Sequence, residues 1–261
     1  MPADFQSSDF NLDPRATRAA PSRLQSFGRF EFKYIVPTRT RLLLEQELHA
    51  FMDIDPFCRG RPGQCYTVRS LYFDDDAFHD YYAKIDGHLN REKYRLRSYD
   101  APGTAPCFLE IKGRQNHFSY KYRTPLDIAT QALVDRQRWS SLLAVDDASP
   151  VIRRFAAVAC RRHLRPQVVV EYTRRPYVGR RDYRFRVTFD GDLRAARGPD
   201  LDRGALPALP FLRDQSVIEI KFESSLPVWF QRLLGTYELQ RVSISKYCRA
   251  AEALTVVSNL E

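Results

Sequence analysis

Residues 93–99 read Lys93-Tyr94-Arg95-Leu96-Arg97-Ser98-Tyr99. Successive side chains of an extended strand point to opposite faces, so Lys93, Arg95, Arg97 and Tyr99 share one face. Tyr94, Leu96 and Ser98 share the other. The period of two predicts a strand. Its polar face is unusual because a solvated strand face would mix Ser, Thr and Gln among its charges, and this one carries Lys and Arg in succession.

Working outward, the same alternation recurs at Phe30–Val36, Tyr66–Phe73, Cys107–Lys112, Ser119–Pro125, Gln167–Thr173, Tyr183–Asp190 and Val217–Glu223. Glu31 and Lys33 oppose Phe30, Phe32, Tyr34 and Val36. Glu110 and Lys112 oppose Leu109 and Ile111. Arg184, Arg186, Thr188 and Asp190 oppose Tyr183, Phe185, Val187 and Phe189, and Glu219, Lys221 and Glu223 oppose Ile218, Ile220 and Phe222. With the opening stretch these make eight strands. Helical stripes fall between and after them: Arg39 to Met52 with Thr38 as cap, a helix opened by Ser149-Pro150, one from Leu226-Pro227 to Gly235, and one from Lys246 to about Val257 capped by Ser245. The class is α+β, dominated by an antiparallel sheet.

An amphipathic sheet with one wet face is common in antiparallel proteins. Two features point elsewhere. Glu-x-Lys recurs in three strands (Glu31/Lys33, Glu110/Lys112, Glu219/Lys221), and Arg-x-Arg occurs at Arg95/Arg97. An eight-stranded antiparallel β-barrel could turn these faces into a tunnel, with flanking helices covering its apolar outside. Cations packed into a lumen repel one another and lose hydration, so the arrangement calls for a highly charged anion, such as polyphosphate or a nucleoside triphosphate. Arg binds phosphate oxygens in bidentate fashion and Lys acts as a point charge. Glutamates in the same lumen fit Mg²⁺ or Mn²⁺, which prefer oxygen.

The bulk properties agree. The 261 residues are 44% hydrophobic and 13% aromatic, enough for a packed core, and the net charge of +9 favours an anionic partner. Residues 1–27 read as a polar, flexible lead-in without a secretory signal, and residues 28–261 as a single domain. No apolar run approaches the ~18 residues of a membrane span. Five scattered cysteines form no CxxC pair, which argues against a zinc ribbon or a disulfide framework and for a reducing, cytoplasmic setting. There is no HExxH, no GxxxxGK[ST], no GxGxxG and no GxSxG. Asp74-Asp75-Asp76 follows a strand and reads as a turn and helix cap. Tyr72, Tyr81 and Tyr82 read as core or rim packing, and His79, His88 and His117 as surface residues.

The segments RFEFKYIV, VRSLYFDDD, EKYRLRSY, FLEIKGR, VVVEYTRRPY, RVTFDGDLRA, VIEIKFE and SISKYC, in this order, resemble the VTC (vacuolar transporter chaperone) polyphosphate polymerase domain of the triphosphate tunnel metalloenzyme (CYTH-like) superfamily. The resemblance spans residues 27 to 255 and implies an eight-stranded antiparallel tunnel. It implies a transferase that moves the ATP γ-phosphate onto a growing polyphosphate chain with Mn²⁺ or Mg²⁺, releasing ADP. By motif, Lys33, Arg95, Arg97, Lys112, Arg186 and Lys246 should hold phosphates, with Lys121, Arg123, Arg194 and Lys221 as further candidates. Glu219 is the first candidate metal ligand, followed by Glu110, Glu171 and Glu223.

The hydrolytic relatives begin with Glu-x-Glu-x-Lys. Here Arg29 stands at the first glutamate, which resembles the polymerase branch. The phosphate-sensing helical domain and membrane helices of the eukaryotic polymerase have no counterpart in this sequence, so any membrane contact is left to a separate partner. Two other functions compete: a triphosphatase or polyphosphatase of the same fold, and a non-catalytic module that binds phosphate chains. Nucleic acid is not expected as a partner, because the cations share strand faces with glutamates.

Overall fold

The computed structural model describes residues 30–100, 106–116, 118–145, 147–199, 201 and 208–257. The lead-in, Arg29 and His117 lie outside the described residues. Strands β1 (Phe30–Pro37), β3 (Tyr66–Asp74), β4 (Arg91–Tyr99), β5 (Cys107–Gln115), β6 (Phe118–Leu126), β7 (Arg165–Gly179), β8 (Arg186–Ala196) and β10 (Gln215–Phe222) carry the sheet. Short β2 (Met52–Ile54) and β9 (Leu209–Pro210) flank β7 and β8. Helices are α1 (Thr38–Leu48), α2 (His79–Ile85), α3 (Ile128–Asp135), α4 (Trp139–Leu143), α5 (Pro150–Arg162), α6 (Val228–Thr236) and α7 (Lys246–Ala253).

The long strands are hydrogen-bonded in the order β1-β10-β8-β7-β3-β4-β5-β6, antiparallel throughout. Among the described residues no ladder joins β6 to β1, so the sheet is open. It is nevertheless strongly curled. Lys112 of β5 reaches within 3.5 Å of Glu31 of β1, although the two strands stand near opposite ends of that order. The predicted tunnel is therefore a half-barrel whose gap is bridged by an ion pair rather than by backbone.

Alternation along the strands sends apolar side chains to the convex face, where the helices cover them. Leu71, Phe73, Tyr94, Leu96, Leu109 and Ile111 pack on Ile152, Phe155 and Ala159 of α5 and on Trp139 and Leu142 of α4. Tyr34, Val36, Val187, Phe189, Ile218 and Ile220 pack on Leu44 and Leu48 of α1 and on Phe230 and Leu233 of α6. Each such fully buried side chain contributes about 1.5–3 kcal/mol.

A third cluster lies on the concave side. Val68, Tyr72, Val168, Val170 and Val217 meet Tyr247, Cys248, Ala250 and Ala251 of α7. The last helix thus enters the hollow, and Tyr247 stacks on Tyr72 at 5.0 Å between centroids.

Caps explain several helix starts. Ser149 accepts from Ile152 N, Asp127 from Thr130 N, and Ser245 from Cys248 N. Thr38 is not a cap: α1 already contains it, and its backbone N–H donates to Asp214 O at 2.8 Å. Helix α7 ends at Ala253, short of the predicted Val257. Among the described residues no helix is long and apolar enough to cross a membrane.

Candidate functional site

On the concave face, two buried glutamates each gather several cations. Glu219, 8% exposed, lies in the middle of β10 opposite Lys33 of β1 and Thr188 of β8. Its Oε1 accepts from Lys246 Nζ at 2.8 Å and lies 3.6 Å from Lys33 Nζ, while Oε2 accepts from Arg174 Nη2 at 3.0 Å. Asp190 of β8, wholly buried, completes the group: it takes both arms of Arg174 at 2.6 Å and Lys246 Nζ at 2.7 Å. Burial would push the Glu219 carboxyl up, but Lys246, Lys33 and Arg174 outweigh it and hold the group well below the usual carboxylate range. Against its own burial, Lys246 is drawn up by Asp190 and Glu219.

Glu110 of β5 is the second centre, with no exposed surface. Arg95 donates to its Oε2 through Nε at 2.8 Å and Nη2 at 2.6 Å, and Lys121 lies 2.7 Å and Arg123 3.5 Å from Oε1. Arg95 Nη1 also donates to Tyr72 Oη at 2.9 Å, and Arg97 Nε donates to Ser70 Oγ at 3.0 Å. Burial of Glu110 opposes its charge, yet Lys121, Arg95 and Arg97 keep it ionised, well below the ordinary range. Lys121 fares differently. Burial lowers it, Arg95, Arg123 and Arg97 add to the effect against Glu110, and it falls to about 7. Lys221, opposite Glu31 and Arg186 in the ladders, falls to about 8, chiefly through burial. Glu31 joins Lys33 at 3.0 Å and Lys112 at 3.5 Å across the gap in the sheet.

Of the residues named from sequence, Lys33, Arg95, Arg97, Lys112, Lys121, Arg123, Lys221, Lys246, Glu110 and Glu219 come together on the concave face. Arg186 shares that face opposite Lys221 and is held by Asp55. Three others do not join them. Glu171 shares the face of Val169, which packs in the convex core, and its Oε2 accepts from Arg69 Nε at 2.7 Å. Arg194 is exposed on that outer side, in register with Glu171. Glu223 lies beyond the end of β10 in an exposed pair with Arg184 at 2.9 Å. Arg174, Asp190, Tyr72 and Tyr172 belong to the site and were not singled out for it.

The Asp74–Asp76 run does cap a helix: Asp74 accepts from the N–H groups of Asp80 and Tyr81, and Asp75 from that of His79. Arg162 of α5 clamps Asp75 at 2.7 Å and Asp80 at 2.8 Å. His79 and His88 are both exposed.

Among the described residues no three His, Cys, Asp or Glu side chains converge as a metal cage. Mg²⁺, however, is held in phosphate-transfer sites by one or two carboxylates, with waters and substrate phosphates filling the rest. Glu219 and Glu31, which share Lys33, fit that partial donor set. Glu110 does not, because its side chain has no exposed surface for an ion and its waters to reach, whereas Glu219 keeps 10% and Glu31 29% of theirs.

A curled antiparallel sheet with a cation-lined hollow defines the triphosphate tunnel architecture. Residues 28–255 match the VTC domain, and the chain belongs to that family. The superfamily includes polyphosphate polymerases, cyclases and triphosphatases, so phosphate transfer and hydrolysis are its chemistry. Similar solved structures include a candidate adenylate cyclase from Bacillus halodurans, with 16% identity and a TM-score of 0.49 over 84% of this chain and 96% of that one. Another is an adenylyl cyclase candidate from Hippeastrum with a dominant triphosphatase activity, at 15% identity and a TM-score of 0.49 over 90% and 99%. No curated protein sequence matches the chain.

Proposed function

We propose that residues 28–261 form a metal-dependent polyphosphate polymerase, an ATP:polyphosphate phosphotransferase that adds the ATP γ-phosphate to a growing chain. The observation that carries this reading is the excess of cations over carboxylates in the lining. Lys33, Lys112, Arg95, Arg97, Lys121, Arg123, Arg174 and Lys246 share one hollow and outnumber the acids that hold them. Such a lining suits an extended polyanion better than a single compact phosphate.

Phosphoryl transfer needs positioning and charge neutralisation more than covalent help. Arg95 and Arg97, fixed by Glu110 and Ser70, would hold the triphosphate extended. Lys33, Lys246 and Arg174 would neutralise charge near Glu219. The terminal oxygen of the acceptor chain, already ionised, forms the new bond to the γ-phosphorus, and the bond from that phosphorus to the β-bridging oxygen breaks. ADP leaves with the electron pair, so no general base is required. Mg²⁺ or Mn²⁺ held by Glu219 with Glu31 would supply further stabilisation of charge on the phosphate oxygens. On this reading the protein works in the cytoplasm on ATP and polyphosphate.

The test is incubation of the protein with ATP and Mn²⁺, with chains resolved on gels and ADP and free phosphate by chromatography. Long chains plus ADP, lost in Arg97→Ala, support the polymerase. Free phosphate without chains would make it a hydrolase, and tight chain binding without turnover would leave a binding module.

A further inference from the structure

The convex side carries a cavity of its own, about 480 Å³ and open to solvent, between α4, the end of α5 and the start of β7. Two turns shape it. Gln137 takes a left-handed φ of 55° after α3, and Arg138 then becomes the N-cap residue of α4, with Ser140 and Ser141 exposed within that helix. His163, also at φ 55°, ends α5, and two residues later Arg165 begins β7. The floor belongs to the core. Trp139, Ala159 and Leu164 are buried there, and the Trp139 ring lies 5.8 Å from Phe73 and 5.7 Å from Phe155. The charges of the wall are of one sign. Arg138, His163 and Arg165 line the cavity beside the two serines, and among the described residues no carboxylate does. Arg165 meets Asp76 only at 3.8 Å, in a pair whose members are both more than half exposed. Among the described residues no ion pair holds Arg138 or His163.

We infer that this cavity is a second anion site, separate from the hollow, and that it takes a small condensed phosphate such as pyrophosphate. A cleft with charges of one sign and low-dielectric walls focuses its field and concentrates counter-ions at its mouth. The buried indole and the aliphatic floor supply the low-dielectric wall, and the guanidinium groups supply the charge. Guanidinium binds phosphate oxygens in bidentate fashion. Arg138 and Arg165 come from different walls, so two joined phosphates can engage both at once, where a lone phosphate has one anionic centre to share. His163 and the serine hydroxyls add donors for the remaining oxygens. The convex core stands between this cavity and the concave face, so a ligand here does not compete with one held in the hollow.

The site does not depend on what the hollow does with ATP, and its test is binding alone. The chain has two tryptophans, so Trp229→Phe leaves Trp139 as the only indole and makes it a reporter of the cavity. Pyrophosphate is expected to change the Trp139 fluorescence along a saturable curve. Adding Arg138→Gln/Arg165→Gln, both at exposed positions, is expected to raise the Kd about tenfold or more. Adding Arg97→Ala, which alters the hollow, is expected to change it less than about twofold. Orthophosphate, and malonate with its two less highly charged groups, are expected to bind about tenfold more weakly than pyrophosphate. In the unaltered protein, pyrophosphate is expected to slow alkylation of Cys160, a half-buried thiol in the lining, by neutral iodoacetamide, while Cys65 reacts as before. Peptide mass spectrometry reads this, and it decides the matter if Trp229→Phe does not fold. Cys160 left unprotected, a Trp139 response unchanged in the glutamine variant, or one lost in Arg97→Ala would overturn the site. Orthophosphate or malonate binding as tightly as pyrophosphate would overturn the ligand class. Whether chains form from ATP bears on the polymerase reading alone.

Discussion

Lys246 and Glu219 meet at 2.8 Å although 27 residues separate them, and the same ammonium lies 2.7 Å from Asp190. The contact ties the first residue of α7 to the centre of the sheet. It explains how a helix that follows the last strand ends inside the hollow: its N-terminal lysine satisfies two buried carboxylates, and its next residues, Tyr247 and Cys248, fill the space among Tyr72, Val168 and Val217.

The Glu110 centre carries a stability cost when no anion is bound. Changing Glu110 to Gln leaves Arg95 and Lys121 buried without their counter-charge, and such a break costs about 3–5 kcal/mol. Thermal melts should show a lower Tm for E110Q in buffer, with a larger rise on adding tripolyphosphate than the unaltered protein gives. A Tm unchanged in buffer would contradict the role assigned to Glu110.

Arg174 is the test of a residue that sequence reading passed over. Its guanidinium links Asp190 to Glu219 on the concave face. Arg174→Ala should reduce tripolyphosphate affinity about tenfold or more, since charge-assisted contacts to phosphate are worth about 1.5–3 kcal/mol each. Calorimetry that finds the affinity intact would remove Arg174 from the site.

The two glutamates expected to act alike should separate. Glu219→Gln should lower turnover with ATP about a hundredfold or more, the usual scale for losing a preorganised charge at the reacting group. Glu171→Gln should change it less than twofold, because it breaks only a convex-face pair with Arg69, worth at most about 1 kcal/mol. Equal losses in the two variants would return Glu171 to the site.

Lys121 near 7 and Lys221 near 8 make binding pH-dependent. Above those values the free protein holds both amines partly neutral, and a bound polyanion pulls them back to the charged form. Binding at about pH 8 should therefore take up protons, and affinity for tripolyphosphate should fall as pH rises from about 7.5 to 9. Calorimetry in buffers of different ionisation enthalpy reads the uptake. Zero uptake would mean that both lysines stay charged in the free protein.

Most of the strand pattern was legible because the faces of β1, β4, β5 and β10 differ so sharply in charge. Where both faces are apolar, the signal fades. Val168, Val169 and Val170 of β7 are all buried, since α7 covers the concave side there and α5 with its neighbours the convex side. Nothing in that run says which way Glu171 points, and the strand runs on past Thr173 to Gly179, carrying Arg174 inward. Arg194 was misplaced for a different reason. The β7–β8 ladder shifts between Glu171 and Thr173, where β8 inserts an extra residue and Asp192 adopts φ 51°. A bulge reverses the alternation, so Arg194 faces out although Arg186 and Asp190 face in.

The barrel gap was not legible either. Closure depends on whether β6 and β1 exchange backbone bonds, and a period-two pattern is the same in both cases. Helices α3 and α4 were missed, and α2 was signalled only by its Asp74–Asp76 cap, because all three are short, with too few turns for an apolar stripe to stand out.

The central claim is that phosphate passes from ATP to a chain held in the hollow. The most direct measurement follows the γ-phosphorus of labelled ATP with the unaltered protein, Mn²⁺ and a polyphosphate primer. The account predicts label in chains longer than the primer, with one ADP released for each label transferred. Label found only in free phosphate, with the primer unextended, would contradict it.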